Sequence, residues 1–309
     1  MPTGIDLPLA RGSGHAETRR PGRLRFQILG PLRVWRDDIE LDTGPKQQRQ
    51  LLALLLARAG RPVRMSEMLA VLWPGDPPAS AANIIYKYIG ALRRLMEPEL
   101  AARQSSSWLV RHADSYRFIA DPETLDVATF RHHLDRARTA ARNGHGADAL
   151  EHYDQGLELW NGLCAEDLAE SAESPAVFST IDRQLFDAAT ETADLALRER
   201  QSRRHLSVLR RVASWERLNE PLQARLMLLL HDFGHQAEAL AVYDELRGVL
   251  ADELGLNPGP ELRAARQRIL TWNPSVSSRS ASDQSFRTRP ARVCSASNRT
   301  PLAYFWTRL

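Results

Sequence analysis

The stretch "SAANIIYKYIGALRRLME", residues Ser80 to Glu97, determines how the N-terminal part of this chain is interpreted. The stretch has the apolar spacing of an amphipathic helix. On a helical wheel of about 100° per residue, its apolar side chains fall on one stripe. We expect this stripe to be buried, and it consists of Ile85, Ile89, Leu92 and Met96.

The opposite side of this helix carries an amide, cations and very small side chains. A solvated helix face usually includes acids that pair with cations four residues away, but the first acid here is Glu97, at the end. Asn recognises adenine and Arg recognises guanine in the major groove of DNA. Taken alone, this helix fits DNA contact and an ordinary amphipathic helix equally well. The centre of the outward face is Asn83, Lys87, Gly90 and Arg94, and its flanks are Tyr86, Ala91 and Arg93.

The surrounding elements are predicted to occur in the order strands, three helices and a β-hairpin. Alternating segments predict strands at Leu24–Leu29, Leu32–Trp35 and Ile39–Leu41. A helix from Pro45 to Ala59 has an apolar stripe, and a short second helix precedes the quoted one. The hairpin would follow around residues 112–115. This is the winged-helix order, in which the third helix enters the major groove. Candidate phosphate contacts are Lys46, Arg49, Arg111 and Arg117.

After residue 120 the periodicity is helical throughout. Seven helices are predicted, with a loop over Asn161–Ser174. "GHGADALEHYD", residues 144–154, is echoed by "GHQAEALAVYD", residues 234–244, at seven of eleven positions. Small residues beside Leu and Tyr at such spacing let neighbouring helices nest. Tetratricopeptide-like hairpins stack in this way. The predicted fold class is therefore mainly α: an N-terminal winged helix-turn-helix, α+β with a preceding sheet and a C-terminal hairpin, followed by an all-α helical repeat domain.

Charge divides the 309 residues in the same place. Residues 22–120 hold 15 Lys/Arg against 9 Asp/Glu, whereas residues 121–273 hold 17 against 26. This distribution fits a basic domain that binds a polyanion, followed by an acidic domain that contacts another protein. We expect a disordered arm at 1–21, a DNA-binding domain at 22–120, a repeat domain at 121–273 and a disordered Ser/Arg-rich tail at 274–309.

Other chemistries find little support in the sequence. The two cysteines, Cys164 and Cys294, suggest neither a disulfide framework nor a zinc site, which fits a reducing cytoplasm. The N-terminus does not read as a signal peptide, and no apolar run is long enough for a membrane span. There is no phosphate-binding loop of the Walker type. His231 and His235 lack a third metal ligand. We therefore expect no catalysis, no cofactor, no metal and a cytoplasmic location.

Several segments together resemble the Streptomyces antibiotic regulatory protein family. "LRFQILGPLRVW", "GPKQQRQLLALLLARAG", "LWPGDPPASAANIIYKYIGALRRLME" and "SYRF" are similar to its DNA-binding domain, a winged helix of the response-regulator type. "DVATF", "GLELWNG" and the segment from Arg217 to Leu270 resemble its bacterial transcriptional activator domain. The resemblance covers roughly residues 22–271.

The resemblance implies a pathway-specific activator of a secondary-metabolite (antibiotic) gene cluster. Such proteins bind direct repeats in double-stranded DNA as side-by-side protomers and recruit RNA polymerase with its sigma factor. Carried over by position, Ser80–Met96 would be the recognition helix. Two alternatives stay open: a helical-repeat adaptor with weak or no DNA binding, and a regulator gated by a ligand in the repeat concavity.

Overall fold

A computed structural model describes residues 23–101, 104–120, 122–168 and 175–271. Within these ranges, ten α-helices accompany two three-stranded antiparallel sheets. This confirms the predicted mainly α class with a small sheet on either side of the first three helices. The described residues as far as Leu270 form one compact unit. The arm predicted at 1–21 and the tail predicted at 274–309 lie outside the described residues.

The first sheet contains β1 (Leu24–Gln27), β2 (Arg33–Arg36) and β3 (Ile39–Glu40) in that order. The three predicted strands are confirmed, although β1 ends two residues earlier than expected. The β2–β3 turn places Asp37 and Asp38 at φ values of 48° and 67°. Asp tolerates this left-handed conformation better than most residues.

Helix α1 (Lys46–Ala57) is buried on every side from Leu51 onward. The sequence predicted one apolar stripe, but Ala53 and Leu54 are as buried as the leucines of that stripe. The reason is that α1 packs on α2 (Met65–Leu72) and α3 (Ala81–Met96) on one side and on helix α6 (Ala176–Arg198) on the other. A helix that is apolar all round belongs in a core.

The second sheet has the order β4-β6-β5, with β4 at Pro62–Arg64, β5 at Leu109–His112 and β6 at Ser115–Phe118. The hairpin of β5 and β6 was predicted, whereas β4 was not. Strand β4 pairs Val63 with Tyr116 and so joins the start of α2 to the hairpin. The ring of Phe26 lies 5.1 Å from that of Phe118, and this contact links the two sheets.

Six of the remaining helices pack as consecutive pairs, α4 with α5, α6 with α7 and α8 with α9, as the echoed segments indicated. Both echoes lie at a hairpin turn, where Gly144 and Gly234 adopt φ values of 77° and 87°. The next residue closes each turn identically, because His145 N donates to Ala140 O and His235 N to Leu230 O. The helices are α4 (Asp126–Arg142), α5 (Gly146–Glu158), α6, α7 (Ser202–Trp215), α8 (Glu220–Asp232), α9 (Gln236–Leu254) and α10 (Pro260–Thr271).

A seam of backbone hydrogen bonds joins the first sheet to the helical region. Beyond β1, Leu29 O accepts from Asn161 N at 3.0 Å, and Ile28 O accepts from Ala165 N at 2.9 Å. A Cβ at Gly30 would lie 3.1 Å from the Asn161 backbone, at a φ of +118°, so the seam requires glycine there. Within the predicted loop at 161–174, the seam holds Asn161 and Ala165, and residues 166–168 form a short 3₁₀ turn. Residues 169–174 lie outside the described residues.

The carboxylate of Asp126, at the first turn of α4, completes the seam. Its Oδ2 accepts the backbone N–H groups of Ile28 and Leu29 at 2.9 and 2.8 Å, and its Oδ1 accepts that of Val127. Burial raises the pKa of Asp126 to about 7, against the lowering effect of these three N–H donors. Burial likewise raises the pKa of Asp182 to about 6, and Asp182 accepts the N–H of Cys164.

The raised pKa of Asp126 makes the stability of the seam depend on pH. The folded chain holds this proton up to about pH 7, whereas an unfolded Asp loses it near 3.8. The stabilisation is therefore complete below 3.8 and is lost as the pH rises through 7. We expect urea unfolding to show that the wild type loses about 2 kcal/mol relative to Asp126→Asn between pH 5 and pH 7.5. Asp182 is common to both chains and cancels. Parallel pH profiles would mean that the three N–H donors keep Asp126 ionised.

Candidate nucleic-acid interface

Helix α3 separates an apolar face from a basic one, as its wheel predicted. Ile85, Ile89, Leu92 and Met96 are all buried, and α3 packs on α1 and α2. Tyr88 and Leu95 lie at the edge of this stripe and are half-buried. The helix begins at Ala81, and Ser80 makes no side-chain cap.

The outward face is open to solvent along its centre. Asn83, Lys87 and Arg94 are exposed. A Cβ added at Gly90 would meet nothing nearer than the end of the Arg94 side chain, at 3.9 Å. Packing within the chain therefore does not require glycine at position 90. The bare backbone leaves room for a large partner to approach the helix closely.

Tyr86 connects the outward face of α3 to the β5–β6 hairpin. The guanidinium of Arg111 lies 5.7 Å from the centre of the Tyr86 ring, within the range of a cation–π contact. Tyr86 is 43% exposed, and Arg111 is exposed as well. Arg111 also donates through Nε to Ala113 O at 3.2 Å, which holds its head near the hairpin tip. The helix and the hairpin thus present one continuous basic and aromatic ridge.

Arg93 takes a different position from the other outward residues. Its Nη2 donates to Leu109 O at 2.9 Å, and its guanidinium lies 5.7 Å from the ring centre of Tyr116. These contacts make half-buried Arg93 a strut between α3 and the hairpin. The helical wheel correctly predicted the angular position of Arg93 on α3. It could not predict the contacts with the hairpin, because those depend on tertiary structure.

The start of α1 lies beside α3. Tyr88 Oη donates to Gln47 Oε1 at 3.2 Å, which brings the first turn of α1, including half-buried Lys46, close to α3. The next candidate in that turn, Arg49, forms an ion pair with Asp167 of the helical region. Asp167 also accepts the N–H of Leu32 at 2.8 Å through its other oxygen. Arg49 therefore forms part of the contact between the first three helices and the helical region.

The hairpin tip differs from a purely basic wing. Asp114 is exposed at the tip, and its carbonyl accepts the N–H of Met65 at 3.0 Å. Arg117 is half-buried on β6, and its Nε lacks a hydrogen-bond partner among the described residues. Of the four phosphate candidates, Arg111 is the one placed on the open ridge.

Arg36 was not identified from the sequence as part of this arrangement. From β2, its Nη2 donates to the carbonyls of Leu95 and Met96, at the C-terminal end of α3. A cation at this end complements the helix dipole and satisfies carbonyls that have no partner within the helix. The first sheet thereby fixes the C-terminal end of α3. The sequence shows only that Arg36 directly follows a predicted strand. It does not indicate that Arg36 binds the carbonyls at the end of α3.

The described residues contain neither a cluster of metal ligands nor a reactive thiol. Among them, no three His, Cys, Asp or Glu side chains gather closely enough to hold a metal ion. Cys164 is buried beside the seam, and burial raises the pKa of its thiol, which makes it unreactive. Every helix in the described ranges is too short or too polar to span a bilayer.

Known proteins resemble this chain along nearly its whole length. The family model of the bacterial transcriptional activator domain matches residues 125–270. The regulatory protein AfsR of Streptomyces coelicolor is 34% identical over 95% of this chain, which spans 29% of AfsR. The regulatory protein DnrI of Streptomyces peucetius is 25% identical, over 82% of this chain and 94% of DnrI.

A solved structure supports the fold of both parts. EmbR of Mycobacterium tuberculosis, in complex with a low affinity phosphopeptide, superposes with a TM-score of 0.65 at 28% identity. The match covers 81% of this chain and 65% of EmbR. The chain belongs to the Streptomyces antibiotic regulatory protein family, with a winged helix followed by the bacterial transcriptional activator domain.

Proposed function

We propose that this chain is a sequence-specific DNA-binding activator of transcription, acting on a secondary-metabolite gene cluster. The observation that carries the proposal is the exposed face of α3, which has no acid between Ala81 and Met96 and which Tyr86 and Arg111 extend onto the hairpin. In this proposal α3 lies in the major groove. Asn83, Lys87 and Arg94 face base edges or phosphates, and Arg111 faces the backbone.

The helical repeat serves assembly in this proposal. The excess of acids over cations in residues 121–273 favours a protein partner over DNA. Two protomers bind direct repeats side by side, and the complex recruits RNA polymerase with its sigma factor. The relatives that are named regulatory proteins support a role in transcription. The structural observations on α3 and the hairpin support the DNA-binding part of the proposal.

The reading face can be tested by charge removal at Lys87 and Arg94. We expect Lys87→Ala or Arg94→Ala to weaken binding to the intergenic DNA beside its own gene, because each side chain is exposed and supports no core contact. A lost base contact costs about 1–3 kcal/mol, whereas a lost phosphate contact lowers the salt slope by about one unit. Mobility-shift titrations at several salt concentrations distinguish the two.

Arg33→Ala is the matched control for this experiment. Arg33 is exposed on β2, away from α3, and its loss changes the net charge equally. Its affinity should stay within about twofold of the wild type. Equal losses in all three variants would indicate a diffuse charge effect and would reject α3 as the reading face.

Asp167→Asn tests whether Arg49 reaches DNA. The asparagine retains an acceptor for Leu32 N–H but removes the charge that holds Arg49. If Arg49 is a phosphate contact that Asp167 restrains, DNA affinity should rise and the salt slope should steepen by about one unit. An unchanged slope, with an unchanged melting temperature, would assign Arg49 to the seam alone.

If two protomers bind side by side, cooperative binding should depend on whether the two DNA repeats lie on the same face of the duplex. Linking two sites can strengthen binding about 10²–10⁴-fold when both engage together. An insertion of about 5 bp rotates one site to the far side of the duplex, whereas about 10 bp restores its face. We expect the half-turn insertion to abolish cooperativity and activation together, and the full-turn insertion to cost less. Identical behaviour of the two promoters would favour the adaptor or ligand-gated alternative.

A further inference from the structure

A small cleft of about 180 Å³ lies where the end of α1 meets α4 and α6. It is separate from the outward face of α3 and shares none of that face's residues. Three guanidinium groups line it, those of Arg58, Arg61 and Arg131. Two neutral polar side chains, Thr180 and Gln184, complete the polar lining. Residues from both the winged-helix part and the helical part thus contribute to a single basic cleft.

The charges in this cleft are unevenly compensated. Arg58 pairs with Glu67 at 3.0 Å. Arg131 donates through Nε to the neutral Gln184 Oε1 at 3.2 Å, and Arg61 is exposed. Within the described residues, neither Arg131 nor Arg61 has a carboxylate within ion-pair distance. Burial, together with the nearby Arg61 and Arg58, lowers the pKa of Arg131. The cleft therefore concentrates positive charge that the described part of the chain does not neutralise.

The donors present suit an oxyanion with several oxygens. Guanidinium groups offer paired N–H donors that match phosphate oxygens. Because Gln184 Oε1 accepts from Arg131, the amide nitrogen of Gln184 remains as a further donor. The cleft has room for one or two phosphoryl groups but is much too narrow for a duplex. We propose that this cleft binds the phosphate group of a small molecule, and that the bound anion holds α1 and α6 together.

This proposal is independent of DNA reading by α3. It adds a ligand site at the junction of the two parts, where occupancy would stabilise the packing of α1 against α6. Free inorganic phosphate and a phosphorylated metabolite share the required chemistry. Inorganic phosphate and pyrophosphate are the probes, and a preference for pyrophosphate would indicate that the cleft takes more than one phosphoryl group.

The test is thermal unfolding of the full chain with each probe, at an ionic strength held constant with NaCl. We expect the melting temperature to rise with probe concentration and to saturate. Arg61→Gln should weaken the apparent affinity about tenfold or more, because one charge-assisted contact is lost. Arg61 is exposed, so this variant should fold normally. Arg131→Gln should have the same effect if it folds.

Arg64→Gln is the matched control, since Arg64 is exposed only three residues away and does not line the cleft. It should respond to both probes as the wild type does. Equal responses of Arg61→Gln and Arg64→Gln would reveal only general charge screening and would overturn the proposal. Absence of any saturable shift would also overturn it. A loss of DNA affinity in Arg61→Gln without a change in the response to the probes would assign the exposed Arg61 to a DNA phosphate and would overturn the proposal.

Discussion

The fold depends on how two buried residues, Ile28 and Leu29, satisfy their backbone polar groups. Beyond β1 they leave the first sheet, and a buried N–H or C=O without a partner is costly. The helical region supplies every one of the hydrogen bonds described for them: Asp126 takes two N–H groups, and Asn161 and Ala165 donate to two carbonyls. The first sheet is therefore completed by residues about 100 positions later in the chain.

This constraint also positions the candidate interface. The sheet that the seam holds in place carries Arg36, which fixes the C-terminal end of α3. The same seam brings Asp167 to Arg49 in the first turns of α1. The N-terminal end of the reading surface and the C-terminal end of its helix thus both depend on contacts made outside the three-helix core. A perturbation of the helical region has a direct physical route to the surface proposed to read DNA.

Sequence patterns predicted the elements whose determinants are local. The buried stripe of α3 follows from spacing alone, and the echoed hairpins follow from repeated Gly-His turns. Strand β4 was not predicted because its three residues, one of them proline, form a strand only by pairing with β6, some fifty residues later. The inward course of Arg93 and the pairing of Arg49 were also missed, because each depends on a partner distant in sequence. The assignment of individual DNA-contacting residues stays a prediction.

The burial of α1 on all sides limits how such regulators can be recombined. Severing the chain near residue 120 would uncover the flank of α1 that packs on α6. Every residue of α1 from Leu51 to Ala57 is buried in the intact fold. An apolar flank of this kind, once exposed, favours aggregation. A hybrid regulator made by joining the winged helix of one relative to the repeats of another would therefore need matching side chains on both faces of that contact. If α3 reads DNA as proposed, substitutions on its outward face would change the operator preference without disturbing the contact between α1 and α6.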